Sequence, residues 1–164
     1  MKKRNLILSN FLIIFFFINF SISNSEDLKS ISGKAIITDG DTIKINGERI
    51  RFGGIDAPEK RQICYLNKKK VFCGKLSTEK LKEKIGNKIV NCIREKNKDS
   101  YGRTVAECFV KKESLSSYMV RSGYAFDYVR YSKKKYAKDE KYAKSKNLGI
   151  WKMKFEYPWI WRKN

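Results

Sequence analysis

The stretch that most limits what this chain can become runs from Asp39 to Glu59, DGDTIKINGERIRFGGIDAPE. Asn46-Gly47 stands between two alternating runs, Thr42 to Ile45 and Glu48 to Phe52, and Asn-Gly favours the type I′ turn that joins antiparallel strands. Ile43 and Ile45 share one face of the first strand, and Ile50 and Phe52 share one face of the second. Asp41 has the parity of Ile43 and Ile45, which places it at the rim where that buried face ends. Arg49 and Arg51 have the parity opposite to Ile50 and Phe52. The chain leaves through Gly53-Gly54 and turns at Asp56-Ala57-Pro58-Glu59, close to where the hairpin began. Acids from two places therefore converge on one strand mouth.

Converging carboxylates suit a hard cation, since calcium and magnesium take oxygen ligands. The absence of histidine narrows the chemistry further. It excludes Ser-His-Asp hydrolases, histidine-metal nucleases and nearly all catalytic zinc sites. A general base has to come from Asp41, Asp56 or Glu59, with arginine or lysine to stabilise developing charge.

Residues 1–25 read as a signal peptide. Lys2, Lys3 and Arg4 precede an apolar run from Leu6 to Phe20, and Ser21, Ser23 and Ser25 follow it. The alternative is an uncleaved anchor, because the run approaches the span of about 18 residues that crosses a bilayer. Residues 26–164 are enough for a single domain with a proper core and a C-terminal aromatic tail. Against 17 acidic residues the chain sets 37 basic ones, a formal charge of +20, and losing Lys2, Lys3 and Arg4 leaves the rest at +17. Such a surface attracts polyphosphates without regard to sequence.

Cys64, Cys73, Cys92 and Cys108 show no Cys-x-x-Cys spacing, so zinc is not expected. With an export signal, four cysteines point to two disulfides, for which order alone allows three connectivities. A hairpin of Asn91–Arg94 with Val105–Phe109, centred on Ser100, sets Cys92 opposite Cys108 and leaves Cys64 for Cys73. Helices are expected over Lys70–Ile85, Ser114–Arg121 and Ser132–Lys146, and strands over Gly33–Thr38, Thr42–Asn46, Glu48–Ile55, Lys88–Glu95 and Arg103–Val110. In the turn Tyr101-Gly102-Arg103, the arginine can reach across a barrel mouth, where its planar fork matches a phosphate.

Taken in order, Asp39-Gly40-Asp41-Thr42, an arginine on the next strand, Asp56-Ala57-Pro58-Glu59, Tyr101-Gly102-Arg103 and Gly149-Ile150-Trp151 after a basic helix resemble the staphylococcal-nuclease-like (thermonuclease) family, in its secreted bacterial branch. The resemblance covers roughly residues 32–151. It implies an α+β, mainly β fold: an OB-fold, a five-stranded Greek-key barrel with about three packed helices. It also implies calcium as cofactor, held by Asp41, Asp56 and the Ala57 carbonyl. Glu59 is implied to orient or deprotonate the attacking water, Arg51 and Arg103 to hold the scissile phosphate, and Tyr101 and Tyr128 to stand near the substrate phosphate. The family's best-known member has threonine at the position of Ala57 and lysine at that of Ser100. The first change leaves a carbonyl ligand intact and the second bears on one terminal phosphate contact.

The function this implies is calcium-dependent endonucleolytic hydrolysis of DNA or RNA with little sequence preference. The expected protein is an exported monomer, periplasmic or secreted, with nucleic acid as substrate and no stable protein partner. It meets membrane only through an uncleaved signal anchor. The alternative is a non-catalytic OB-fold that binds single-stranded nucleic acid through its basic groove. Keeping Asp41, Asp56, Glu59, Arg51 and Arg103 together favours the enzyme. The tail Pro158-Trp159-Ile160-Trp161-Arg162 is expected to pack on the barrel.

Overall fold

The computed structural model describes residues 29–163, so the expected signal peptide at residues 1–25 lies outside the described residues. The first strands are β1 (Ser30–Lys34) and β2 (Ile36–Ile37), followed by β3 (Thr42–Ile45) and β4 (Glu48–Phe52). Asn46 and Gly47 both take left-handed φ, 48° and 85°, as a type I′ turn demands. Ile43 faces Ile50 across β3 and β4, and Ile43, Ile45, Ile50 and Phe52 are fully buried. Each such side chain contributes about 1.5–3 kcal/mol of transfer free energy.

Only Ala35 separates β1 from β2, yet they pair with different neighbours. β1 pairs with β8 (Ile89–Lys98), and β2 pairs with β3. β8 pairs with β9 (Thr104–Val110), which runs parallel to β4. The sheet order β1-β8-β9-β4-β3-β2 thus curls back on the strand with which it began, the Greek-key course of an OB-fold. Cys92 faces Cys108 across β8 and β9, with Cα atoms 4.0 Å apart, and the two are bonded.

Three sequence expectations need correction. The second strand does not run to Ile55. It ends at Phe52, Gly54 takes a φ of 73°, and the two residues of β5 (Ile55–Asp56) pair with β11 (Phe126–Asp127). Lys70 to Phe72 are not helical. They belong to β7 (Lys69–Phe72), which pairs with β6 (Ile63–Leu66) through left-handed Asn67 and Lys68, and helix α1 spans only Cys73–Ile85. The basic helix does not begin at Ser132: Val129–Ser132 form a separate turn, α3, Lys133 and Lys134 have φ of 54° and 69°, and α4 covers Ala137–Ser145. Between these lies α2 (Leu115–Arg121), whose N-cap Ser114 accepts a hydrogen bond from the Ser117 N–H. Ser114 also closes the short β10 (Glu113–Ser114) on β9.

Two apolar clusters result. The larger fills the barrel beneath α1 and α2 with residues such as Phe52, Leu81, Val90, Leu115 and Met119. The second gathers Phe126, Ile150 and Met153 around the Cys64–Cys73 disulfide, and the C-terminal aromatics cover it. Two disulfides, with no free cysteine among the described residues, point to an oxidising compartment. Each closed loop stabilises the fold by roughly 3 kcal/mol in the chain-entropy account. Among the described residues no helix is long and apolar enough to cross a membrane.

Candidate active site at the barrel mouth

Asp41 ends the turn into β3 and Arg51 lies one residue before the end of β4, so antiparallel pairing brings the two side chains together. Arg51 Nη1 donates to Asp41 Oδ1 at 2.9 Å. Its Nη2 donates to Asp56 Oδ1 at 2.8 Å and to the Ile55 carbonyl at 3.1 Å. One guanidinium thus holds two buried carboxylates a fork's width apart. The other Asp41 oxygen accepts the Ala57 N–H at 2.8 Å, and the Thr42 hydroxyl donates to Asp41 Oδ1 at 2.9 Å. Asp39 is the neighbour that the motif reading passed over. Burial, and then the charge of Asp41, push its carboxyl up to about 7. Burial also raises the Asp56 carboxyl, against the pull of Arg162 and Arg51.

Small residues set the depth of this site. A Cβ on Gly74, in the first turn of α1, would stand 1.8 Å from the Glu59 carbonyl oxygen. One on Gly40 would stand 1.9 Å from Ser77 Oγ. Helix α1 therefore touches the backbone of both acidic turns, and the Asp-Gly-Asp and Asp-Ala-Pro-Glu segments share one rigid support.

Arg103 enters from the turn before β9. Asp99 caps that turn, accepting the Tyr101 and Arg103 N–H groups at 2.9 Å each and Arg103 Nε at 2.6 Å. So held, Arg103 Nη1 reaches 3.5 Å from Thr42 Oγ1, the hydroxyl already bound to Asp41. Tyr101 is open to solvent, its ring 5.3 Å from the Arg103 guanidinium. Tyr128 does not join the acids through any hydrogen bond. Its half-buried ring lies flat on Trp159, with centroids 5.0 Å apart and planes 2° from parallel.

The residue that sequence reasoning missed is Arg162. Its Nη2 donates to Asp56 Oδ2 at 2.6 Å, and its Nη1 to Asp56 Oδ1 at 3.1 Å and Glu59 Oε1 at 2.7 Å. Arg162 lies 106 positions after Asp56, and no spacing rule links them. The aromatic tail is the one hint, because such a run has to pack and carries its neighbours with it. Trp159 is sandwiched between Tyr157 and Tyr128. Buried Gln62 adds a tie, accepting the Glu59 N–H at 3.2 Å and donating to the Glu156 carbonyl at 2.8 Å.

The donors at this mouth are hard oxygens, which suit a cation of the calcium or magnesium type and not zinc. Among the described residues no three His, Cys, Asp or Glu side chains stand together in metal-holding geometry. Asp41 and Asp56 would therefore supply two side-chain ligands, and backbone oxygen and water the remainder. Both carboxylates contact the same Arg51 guanidinium.

Comparison with known proteins agrees with this architecture. The profile of the staphylococcal nuclease homologue family matches residues 49–153. The succinoglycan biosynthesis protein ExoI of Rhizobium meliloti is 34% identical over 129 residues, covering 77% of this chain and 68% of its own. An uncharacterized endonuclease of Haemophilus influenzae is 29% identical over 157 residues, 92% of this chain and 80% of its own. The staphylococcal-like nuclease CAN1 of Arabidopsis thaliana is 33% identical over 118 residues, 71% of this chain but only 33% of that longer protein. With a profile spanning more than half its length and an OB-fold that carries the acidic turns and arginines at one mouth, the chain belongs to the staphylococcal nuclease homologue family.

Proposed function

We propose that this protein is a nuclease, an endonuclease that hydrolyses phosphodiester bonds of DNA or RNA with little sequence preference and with calcium as its cation. The observation that carries the reading is the Arg51 fork spanning Asp41 and Asp56, with Arg103 held by Asp99 against Thr42 beside it. Two guanidiniums and two buried carboxylates at one mouth suit a substrate that gains negative charge as it reacts. Nuclease-named relatives support the same class.

Asp41, Asp56 and the Ala57 carbonyl are the residues that would hold calcium, which when bound neutralises phosphoryl charge and makes water a better nucleophile. Arg51 has one Nη1 hydrogen beyond its Asp41 bond, and this hydrogen is free to meet a phosphate oxygen. Arg103 keeps Nη2 for the same purpose, while Asp99 fixes its Nε. Glu59 accepts from the attacking water. Its value lies in orienting that water as well as in taking its proton. Tyr101 and Tyr128 flank the substrate phosphate. The strong positive charge that remains once Lys2, Lys3 and Arg4 are lost with the leader supplies attraction that does not depend on base sequence.

Purified protein given calcium should break single- and double-stranded DNA and RNA of mixed sequence into short fragments. Polymers that stay intact while single strands are retarded on a gel would favour the binding-only OB-fold instead. The two disulfides and the leader pattern of residues 1–25 support export to the periplasm or medium. The exported protein should have lost its first 23–25 residues and weigh four hydrogens less than the reduced chain. Recovery of the full-length chain with four alkylatable thiols would contradict this.

A further inference from the structure

Arg162 has no counterpart among the motifs that define the site, yet it touches both Asp56 and Glu59. A carboxylate offers about four lone-pair directions. Asp56 gives two to Arg162 and one to Arg51, and its side chain has no solvent exposure. Arg51 approaches from the strand and is mostly buried, whereas Arg162 is 35% exposed and arrives on a short terminal helix, α5 (Pro158–Trp161). Arg162 also lines an open cavity of about 710 Å³ with Glu59, Glu156 and Trp161, which leaves the guanidinium somewhere to go. The tail behind it is firmly anchored: Trp159 is stacked on both faces, and Tyr65 and Lys154 exchange two backbone hydrogen bonds at 2.8 and 2.9 Å.

We propose that Arg162 is a further residue of the active site, a resident counter-charge for Asp56 and Glu59 that competes with the cation and so sets the site's cation affinity. The proposal rests on the reading of Asp41 and Asp56 as cation ligands. Two physical facts carry it. A dication taking Asp56 needs oxygen lone pairs that Arg162 now occupies, and a guanidinium beside a dication is repelled. The anchored tail lets Arg162 yield by side-chain rotation, without undocking the aromatic cluster. Charge neighbours at such range typically shift an ionic equilibrium by one to three decades.

The test is calorimetric titration of calcium, without nucleic acid, into the parent, Arg162→Gln, Arg162→Lys and Asp56→Asn proteins. Circular dichroism verifies that each is folded. Arg162→Gln should bind calcium about tenfold or more tightly than the parent, Arg162→Lys should fall between them, and Asp56→Asn should lose most binding. A second measurement uses the unaltered protein: tryptophan emission should change with the same midpoint as the heat, because Trp161 adjoins the displaced arginine. Equal or weaker calcium affinity in Arg162→Gln, with binding still dependent on Asp56, overturns the role of Arg162 and leaves the cation site standing. A calcium heat in the parent with no change in emission also counts against Arg162. No calcium binding by any of the proteins overturns the cation reading and the proposal with it.

Discussion

Arg103→Lys should lower kcat by 10²–10³, roughly 3–4 kcal/mol of transition-state stabilisation, while affinity for a non-cleavable oligonucleotide stays nearly constant. Lysine keeps the charge, so long-range attraction to the polymer is retained. What it loses is the planar fork. Asp99 holds Arg103 Nε at 2.6 Å, and Nη1 then reaches to 3.5 Å from Thr42 Oγ1. An ammonium on a flexible stem has no such aim. Arg51→Lys should reduce kcat in the same range and also lower the melting temperature, because Arg51 holds Asp41 and Asp56 together. Lys138→Ala, on the exposed face of α4, is the control for bulk charge: it should weaken binding modestly and reduce the salt slope by about one unit. Kinetics and oligonucleotide binding measured on all three proteins decide the matter. If Arg103→Lys cuts as fast as the parent while Lys138→Ala is crippled, the basic helix and not the barrel mouth carries the function.

Short-range rules reached far into this fold. Asn46-Gly47 between alternating runs specified β3, β4 and the side each residue faces, since a two-residue turn sets register and the apolar face sets burial. Centring the second hairpin on Ser100 placed Cys92 opposite Cys108 because pairing is symmetric about the turn near its outer strands. A bulge between Arg94 and Lys98 shifts register only closer to the tip. The rules failed where the backbone takes left-handed turns without glycine. Asn67-Lys68 and Lys133-Lys134 reverse or break the chain at positive φ, where lysine gives no signal, so the helical pattern extends over Lys70 to Phe72 of β7 and over the residues from Ser132 that precede α4.

The site divides along the same line. Asp41, Arg51 and Asp56 were legible because one hairpin and one turn carry them, and local geometry brings them together. Asp99 had a local signal, an aspartate before Tyr-Gly-Arg that caps its own turn, but its hold on the Arg103 side chain is tertiary detail. Gln62, Gly74 and Arg162 depend on how α1 and the aromatic tail dock against the barrel. Periodicity sees one element at a time, so no pattern in it could place the last arginine of the tail on the aspartate of the second acidic turn.

The reading of the mouth as a hard-cation hydrolytic site is tested most directly by removing and restoring the cation on one protein sample. Initial rates on a fluorogenic oligonucleotide should be measured in calcium, then in excess chelator, then after calcium is added back. Circular dichroism should be followed throughout to show that the fold is kept. Asp41 and Asp56 offer oxygen ligands only, so chelation should cut the rate by about 10³-fold or more, and calcium should restore it. An undiminished rate in excess chelator, with the fold intact, would contradict the account.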